Sequence, residues 1–187
     1  MKEIDLILIR HGKTEWNQAN LMQGFGNSPL LPASIKEIKK IHINYTKKAV
    51  IFTSDQGRAM STARYVANKY PAVIMPDARL RERNFGILEG HSTRNEPDFM
   101  PYRETILTRY EREELAVPGA EQIDSLVARM TSWLDVVKSN YSENTVIVVG
   151  HGEWIRIFLN LIEGRDPWVK GIGIIPNATP IYKKISV

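Results

Sequence analysis

Residues 4–12 read Ile-Asp-Leu-Ile-Leu-Ile-Arg-His-Gly, and this stretch decides the fold. The run from Ile4 to Ile9 is rich in strand-favouring residues and is bracketed by polar ones, so it predicts a buried β-strand. The strand stops at Arg10, His11 and Gly12, where glycine allows a tight turn. An arginine and a histidine therefore stand at the carboxyl end of the first strand.

A second strand is predicted directly before a helix in the middle of the chain. Val50 to Thr53 forms a short apolar run, and the stretch from about Arg58 to Tyr70 has a helical pattern. Ser54 and Asp55 lie between them, and both residue types are good helix caps. We therefore expect a strand, a cap at Ser54 or Asp55, and a helix.

A third strand repeats the arrangement of the first. Thr145 to Val149 is the most apolar of these runs, and it also ends in a glycine-flanked histidine, Gly150-His151-Gly152. An amphipathic helix from Trp154 to Ile162 follows.

The remaining patterns complete an α/β architecture. Val73 to Met75 and Ile181 to Val187 predict shorter strands, the last at a sheet edge. Ile35 to Tyr45 and Ile123 to Val137 place apolar residues at helical spacing. Strands that alternate with helices indicate an α/β sandwich with a largely parallel sheet. Ligands bind beyond the carboxyl ends of such strands, so the two histidines can converge on one site.

Length and proline content suggest how the chain is divided. A chain of 187 residues, 43% of them hydrophobic, has the size and composition of one globular domain, which we predict over residues 1–187. The region of about 91–118 differs because it contains many charges together with Pro97, Pro101 and Pro118. We expect it to be a small helical cap inserted into that domain.

Composition narrows the function classes. The sequence contains no cysteine, which excludes disulfides, thiolate metal sites and cysteine nucleophiles. It has no long apolar run and no leader pattern, so we expect a cytoplasmic protein that does not engage a membrane. The formal charge of +4 is spread along the chain, and no nucleic-acid-binding pattern is visible. No metal-binding spacing is found either, so we expect neither metal nor cofactor.

Five residues suit phosphoryl transfer: Arg10, His11, Arg58, Glu82 and His151. This chemistry requires groups that hold a dianion, an in-line nucleophile and stabilisation of spreading negative charge. Arginines can clamp the phosphoryl oxygens, and a neutral imidazole can attack phosphorus. A carboxylic acid such as Glu82 can protonate the departing alkoxide.

The stretches around these residues resemble the signatures of the histidine phosphatases, the superfamily that also contains the phosphoglycerate mutases. Residues 8–17 match the opening signature, and residues 23–30 continue it. Residues 54–63, 80–90 and 148–152 resemble the second, third and fourth motifs. The motifs occur in the family's order and span nearly the whole chain.

The resemblance implies a role for each matched residue. His11 would be the phosphorylated nucleophile, Arg10, Arg58 and His151 would hold the phosphoryl oxygens, and Glu82 would act first as general acid and then as general base. Residues at the pocket would bind substrate, and for these we expect Gly12, Asn17, Gln23 and Gly24, with His91 at the pocket mouth because it follows the third motif. The fold implied is a three-layer α/β/α sandwich of the phosphoglycerate mutase type.

We therefore expect a phosphomonoesterase that hydrolyses small phosphate monoesters through a phosphohistidine on His11. Neither the physiological substrate nor the oligomeric state follows from the sequence. One alternative is a cofactor-dependent phosphoglycerate mutase, although mutases of this type are generally longer than this chain. A second alternative is a regulatory protein that binds a phosphate ligand without turnover.

Overall fold

The computed structural model describes residues 3–45 and 48–186, and these form one five-stranded sheet with helices on both faces. The strands are β1 (Glu3–Arg10), β2 (Ala49–Thr53), β3 (Val73–Pro76), β4 (Thr145–Gly150) and β5 (Pro180–Ser186). Their order across the sheet is β3-β2-β4-β1-β5. Only the edge strand β5 runs antiparallel to its neighbour.

The helices connect these strands or lie beside the ends of them. The α-helices are α1 (Glu15–Ala19), α2 (Pro32–Lys40), α3 (Gly57–Lys69), α4 (Arg103–Leu107), α5 (Ile123–Asn140) and α6 (Gly152–Ile162). Short 3₁₀ turns occur at residues 78–80, 86–88 and 100–102. In the described part of the chain, no helix is long and apolar enough to cross a bilayer.

Alternating side chains of the strands build two cores. Leu6 and Leu8 of β1 point to the face covered by α5 and α6, whereas Ile7 and Ile9 point to the face covered by α2 and α3. The central strand β4 is buried throughout. Burial on both faces explains its continuous apolar sequence, as expected for a parallel strand. The predicted three-layer α/β/α sandwich with a mostly parallel sheet is confirmed.

The predicted helix through Tyr45 is wrong at its carboxyl end. Helix α2 stops at Lys40, and Ile41 has a ψ of 130°, which is not helical. Ile41 and Ile43 are nevertheless buried, because this segment packs beneath α3, where the Ile43 N–H donates to the Tyr70 hydroxyl at 2.8 Å. The spacing of the apolar residues therefore predicted the burial of Ile41 correctly, but it predicted the wrong backbone conformation.

The predicted cap of the following helix is also wrong. Gln56 occupies the N-cap of α3 and makes no side-chain capping bond. The Ser54 hydroxyl accepts from the Gln56 N–H before the helix starts, and the Asp55 carboxylate pairs with Arg81 instead. At the chain's end, β5 is described through Ser186, so Val187 of the predicted strand lies outside the described residues.

Residues 91–118 form a third, smaller packing unit beside the sheet. Of these residues, only 100–107 are helical. Ile106, Leu115 and Val117 pack with Phe85 and Leu88 in an apolar cluster of their own. This packing fixes the segment against the loop that carries residues 80–90.

A cluster of aromatic side chains from α5 and α6 gives a test of the core. Phe158 is fully buried, stacks on Trp154 at a ring distance of 4.8 Å, and meets Trp133 edge-on at 5.6 Å. We expect Phe158→Ala to lower the free energy of unfolding by about 3–5 kcal/mol, because it leaves a cavity among rigid rings. Urea unfolding measures this. Val136→Ala, at an α5 residue that is 39% exposed, is the control and should cost less than about 0.5 kcal/mol. A loss below about 1 kcal/mol for Phe158→Ala would contradict this packing.

Candidate active site

The parallel pairing of β1 with β4 brings the two histidines together. Arg10 pairs with Gly150 at the ends of the strands, and the His11 N–H donates to the Gly150 carbonyl at 2.9 Å. The ring centroids of His11 and His151 are 5.3 Å apart and their planes make an angle of 58°. The site therefore begins where the two strands end, as the sequence predicted.

Hydrogen bonding fixes the proton position on His11. Its Nδ1 lies 2.7 Å from the carbonyl oxygen of Gly12, and a carbonyl can only accept. In the neutral ring, Nδ1 therefore carries the hydrogen and Nε2 keeps its lone pair. Burial, reinforced by the positive charges of Arg58 and Arg10, lowers the pKa of His11 well below its ordinary value. A neutral imidazole with a free Nε2 lone pair has the form of a nucleophile.

His151 is fully buried, yet both of its ring nitrogens lack a hydrogen-bond partner among the described residues. Burial and the nearby Arg58 also lower the pKa of His151 well below its ordinary value, so this ring is neutral. Leaving such polar atoms unpaired costs free energy. A ligand that accepts a hydrogen bond here would remove part of that cost.

Arg58 enters the site from the first turn of α3. Its Nη1 and Nη2 donate to the carbonyls of Gly26 and Gly24 at 2.5 and 2.8 Å. The Asn27 carboxamide oxygen accepts from the Arg58 backbone N–H at 3.0 Å. Burial lowers the pKa of Arg58 to about 10, which leaves the guanidinium charged at neutral pH. Its Nε is buried and has no hydrogen-bond partner in residues 3–45 and 48–186.

Arg10 is held by its own hydrogen bond to the backbone. Its Nη1 donates to the Ile175 carbonyl at 3.0 Å, while its Nε is buried and has no partner in the described part of the chain. Among the described residues, the unpaired groups of the site that can donate a hydrogen bond thus include two guanidinium Nε atoms and the His151 ring. Together they can surround an oxyanion with hydrogen-bond donors.

Glu82 is held by the amino terminus of α6. Its Oε1 accepts from the backbone N–H groups of Arg83 and Trp154, both at 2.9 Å, and its Oε2 accepts from that of Glu153 at 3.2 Å. These donors favour the carboxylate. Burial and the negative charge of Glu153 outweigh them and raise the pKa of Glu82. A carboxyl group with a raised pKa is suited to donate a proton.

A cavity of about 140 Å³ joins these groups. Its lining includes Arg10, His11, Arg58 and Glu82, whereas His151 is not part of the lining but lies next to the His11 ring. A larger cavity of about 750 Å³ near the start of β1 contains none of these five side chains. The structure therefore brings four of the five predicted catalytic residues to the smaller cavity and places the fifth, His151, beside His11.

Two of the predicted substrate-binding residues are glycines with structural roles. The Gly12 N–H donates to the Thr62 hydroxyl at 3.0 Å, and a Cβ at Gly12 would lie 2.6 Å from Ile38 Cδ1. Gly24 lines the cavity with φ of +48°, and its carbonyl accepts from Arg58. A larger residue at either position would displace the groups that shape the pocket.

Asn17 and Gln23 also line the cavity. The Asn17 side-chain oxygen accepts from the Thr14 backbone N–H at 3.2 Å, so it helps to cap α1. Gln23 is 8% exposed, and its Oε1 has no partner among the described residues.

The structure does not bring His91 into this cavity. Its ring stacks on Phe99 at 3.9 Å, and its Nδ1 lies 2.8 Å from a carboxylate oxygen of Glu96. His91 follows the third motif directly in sequence, but these contacts hold its side chain within the segment 91–118.

Sequence reasoning missed several residues of the site, and among them are the charged or polar residues Glu153, Arg109 and Gln56. Glu153 is 3% exposed, and its carboxylate forms ion pairs with Arg109 and with Arg156, the latter at 2.6 Å. Gln56 donates to the Gly24 carbonyl at 2.8 Å and accepts from the Glu82 N–H at 3.0 Å. Glu153 follows the fourth motif directly, which could have drawn attention to it. Nothing in the sequence marks Arg109.

Among residues 3–45 and 48–186, no group of three or more His, Asp and Glu side chains has a geometry that could hold a metal ion. The charged lining of the cavity instead combines arginines with two buried carboxyl groups.

The sequence matches the profile of the histidine phosphatase superfamily, branch 1, over residues 6–179. The chain therefore belongs to this superfamily. It is 28% identical over 167 residues to a probable phosphoglycerate mutase, GpmB, from Yersinia enterocolitica, and the alignment covers 88% of this chain and 77% of that protein.

Solved structures show the same fold. One is a putative α-ribazole-5'-phosphate phosphatase from Escherichia coli K-12, with a TM-score of 0.84, 19% identity and coverage of 98% of this chain and 91% of that one. Another is a phosphoglycerate mutase from Bacillus anthracis, with a TM-score of 0.71, 23% identity and coverage of 100% and 93%. At these identities the likeness establishes the fold, which confirms the predicted phosphoglycerate mutase type.

The charge state of the two histidines can be measured directly. We expect both rings to be neutral at pH 6.5, and His11 to carry its proton on Nδ1, because burial and Arg58 disfavour the imidazolium. Nitrogen-detected NMR of the imidazoles in phosphate-free buffer reports both properties. The urea-unfolded chain, whose histidines should titrate near 6.5, is the control. A His11 midpoint at or above 6.5 in the folded protein would contradict the assignment.

Proposed function

We propose that this protein hydrolyses small phosphate monoesters through a phosphohistidine intermediate on His11. One observation carries the proposal. A neutral His11 with a free Nε2, a carboxyl group of raised pKa on Glu82 and the unpaired donors of Arg10, Arg58 and His151 belong to one small site. These are the parts that phosphoryl transfer requires.

In the first step, the Nε2 lone pair of His11 attacks phosphorus and forms an N–P bond. The bond between phosphorus and the ester oxygen breaks, and Glu82 transfers its proton to the departing alkoxide. Nδ1 keeps its hydrogen throughout, and the Gly12 carbonyl stabilises the positive charge that the ring acquires. The proton on Glu82 makes an alcohol, instead of an alkoxide, the leaving group.

In the second step, water attacks the phosphohistidine while the carboxylate of Glu82 accepts a proton from it. The N–P bond breaks, inorganic phosphate leaves, and His11 returns to its neutral form with Glu82 protonated. Arg10, Arg58 and His151 hold the phosphoryl oxygens in both steps through the atoms that lack protein partners. Their donors gain strength as negative charge spreads over the transferring group.

We assign supporting roles to the pocket residues. Gly24 fixes Arg58 through its carbonyl, Gly12 positions the His11 turn, and Asn17 and Gln23 contact the bound phosphate ester. We also propose that the segment 91–118 acts as a cap on a single domain. Its Arg109 lines the cavity and pairs with Glu153 at the base of α6.

The rival activity is that of a phosphoglycerate mutase. The identity to GpmB favours it, and length does not decide against it, because the alignment covers 93% of the Bacillus anthracis mutase. Access of water decides between the two, since a mutase must retain its phosphoryl group. A second cavity of about 540 Å³ shares Arg109 and part of its wall with the catalytic one. Its lining includes the exposed residues Arg94, Arg103 and Leu107, which favours water as the acceptor.

The decisive experiment is a screen of purified protein on a panel of phosphate monoesters, with wild type beside His11→Ala. We expect release of inorganic phosphate by the wild type and a loss of about a thousandfold or more in kcat for the variant, because the attacking atom is gone. His42→Ala, at an exposed histidine outside the cavity, is the matched control and should retain activity. Thermal unfolding of each variant checks that it is folded.

The same screen separates the alternatives. Efficient interconversion of 3-phosphoglycerate and 2-phosphoglycerate without phosphate release would establish the mutase and overturn hydrolysis. Binding of inorganic phosphate without turnover of any ester would instead establish a regulatory binding protein.

The role of Glu82 depends on the leaving group. We expect Glu82→Gln to slow hydrolysis of glycerol 3-phosphate by about 100-fold or more, because an alkoxide needs the proton. The loss on p-nitrophenyl phosphate should stay below about 10-fold, since nitrophenolate leaves without one. Steady-state kcat/KM measured for both esters gives the comparison, because it reports the transfer to His11 and not the later hydrolysis of the phosphohistidine, which is the same for both. Equal losses on the two would exclude Glu82 as the proton donor.

A further inference from the structure

Glu153 is a buried acidic residue that the proposed reaction steps do not use. It is 3% exposed, and it lines the catalytic cavity. A negative charge there repels a phosphate dianion in the same cavity, and the low-dielectric surroundings strengthen the repulsion. Burial of an ionised carboxylate also costs free energy unless cations compensate for it. Glu153 therefore opposes substrate binding, and its presence needs a separate explanation.

Two arginines fix the Glu153 carboxylate. Its Oε1 accepts from Nε of Arg109, and its Oε2 accepts from Nε of Arg156 at 2.6 Å. Arg156 is itself held by the Trp168 carbonyl, which accepts from its Nη1 at 2.9 Å. Burial acts to raise the pKa of Glu153, but the two guanidinium groups outweigh it and lower that pKa. Glu153 therefore keeps its negative charge at neutral pH.

The same residue holds the carboxyl group of Glu82. The Glu153 backbone N–H donates to Glu82 Oε2 at 3.2 Å, and the next N–H, that of Trp154, donates to Oε1 at 2.9 Å. These donors orient the carboxyl group, but they also favour its ionised form, which has no proton to donate. The buried charge of Glu153 acts in the opposite direction, because two negative charges in one buried site are unfavourable.

The positive groups around Glu82 also favour loss of its proton. In the part of the chain that the structure describes, the other charged and titratable groups include Arg10, His11, Arg58, Arg129 and His151 in the site around Glu82, and Arg83, Arg109, Tyr110 and Arg156 around Glu153. Burial keeps both histidines neutral by lowering their pKa, so the arginines supply the positive charge. The negative charge of Glu153 offsets their effect on Glu82.

We propose that Glu153 is a positioning residue for the proton donor: its backbone N–H orients the Glu82 carboxyl group, and its fixed negative charge keeps the proton on Glu82 until the leaving group accepts it. The inference rests on the proposed function. Arg109 and Arg156 act through Glu153, because they hold its charge in place. Glu153 itself takes no part in the proton transfer.

A variant without the charge tests this role. Glu153→Gln retains the backbone N–H and nearly the size of the side chain. We expect the titration midpoint of the Glu82 carboxyl group to fall by about one pH unit or more, because a charge that opposes its ionisation is lost. NMR of ¹³C-labelled glutamate side chains measures the midpoint, and Glu82→Gln assigns the signal. Glu153→Asp retains the charge, so it should shift the midpoint less than about half as far.

Glu163→Gln is the matched control. Glu163 also pairs with two cations, Arg165 and Lys183, but it lies outside the catalytic cavity. Its loss of charge should leave the Glu82 midpoint within about 0.2 pH units of the wild-type value, because solvent and salt screen exposed charges.

The pH dependence of hydrolysis separates this role from a purely structural one. With Glu153→Gln, the alkaline limb of kcat/KM for glycerol 3-phosphate should move to lower pH, since it reports the loss of the proton from Glu82 in the free enzyme. The limb for p-nitrophenyl phosphate should move less, because nitrophenolate leaves without that proton. A structural defect would lower both rates without moving the limb.

Each outcome has a defined meaning. An unchanged Glu82 midpoint in Glu153→Gln, or an equal fall in Glu163→Gln, overturns the inference and leaves the proposed hydrolysis intact. If thermal unfolding shows that Glu153→Gln does not fold, the wild type decides: Glu153 must lose its proton at a lower pH than Glu82, and the reverse order overturns the inference. If the wild type hydrolyses no monoester, the proposed function fails, whereas the NMR midpoints still decide how Glu153 acts on Glu82.

Discussion

The parallel pairing of β1 with β4 is the constraint on which the site depends. It aligns Arg10 with Gly150, and the next residue of each strand is a histidine. Four consecutive aligned pairs of buried apolar residues precede this point, from Leu6 with Val146 to Ile9 with Val149, and their side chains alternate between the two cores. A slip of one residue would exchange the two faces of a strand and expose one set to the wrong core. Core packing therefore sets the distance between His11 and His151.

The sequence located strands and their histidines where all the residues of the pattern lie in one short stretch. Apolar runs that end in glycine located β1 and β4, and the rule that parallel strands present their carboxyl ends at one edge placed their histidines together. Arg58 and Glu82 lie far from these strands in sequence. Only the resemblance to a known family linked them to the site, because neither residue has a local pattern that distinguishes it from a solvated surface charge.

The wrong or missing predictions have one physical cause, which is contact between segments that lie far apart in the sequence. Asp55 was expected to cap α3, but a guanidinium 26 residues further along the chain offers the carboxylate a bidentate partner. Ile41 has helical spacing from Ile38, but it lies beyond the end of α2, and its side chain is buried in the core that includes α3. Glu153 and Arg109 are 44 residues apart and meet only after the segment 91–118 has packed. No local sequence pattern indicates contacts with partners that are so distant in the chain.

The pair of Glu153 and Arg109 connects that segment to the proposed acid. Glu153 is buried, and its charge is one of the two causes that raise the pKa of Glu82. Arg109 and Arg156 keep Glu153 ionised despite the burial that opposes it. If Arg109 moved away, Glu153 would lose one of the two guanidinium groups that lower its pKa, and that pKa would rise. The packing of the segment 91–118 therefore bears on the charges beside Glu82 as well as on the shape of the catalytic cavity, because Arg109 pairs with Glu153 and also lines that cavity.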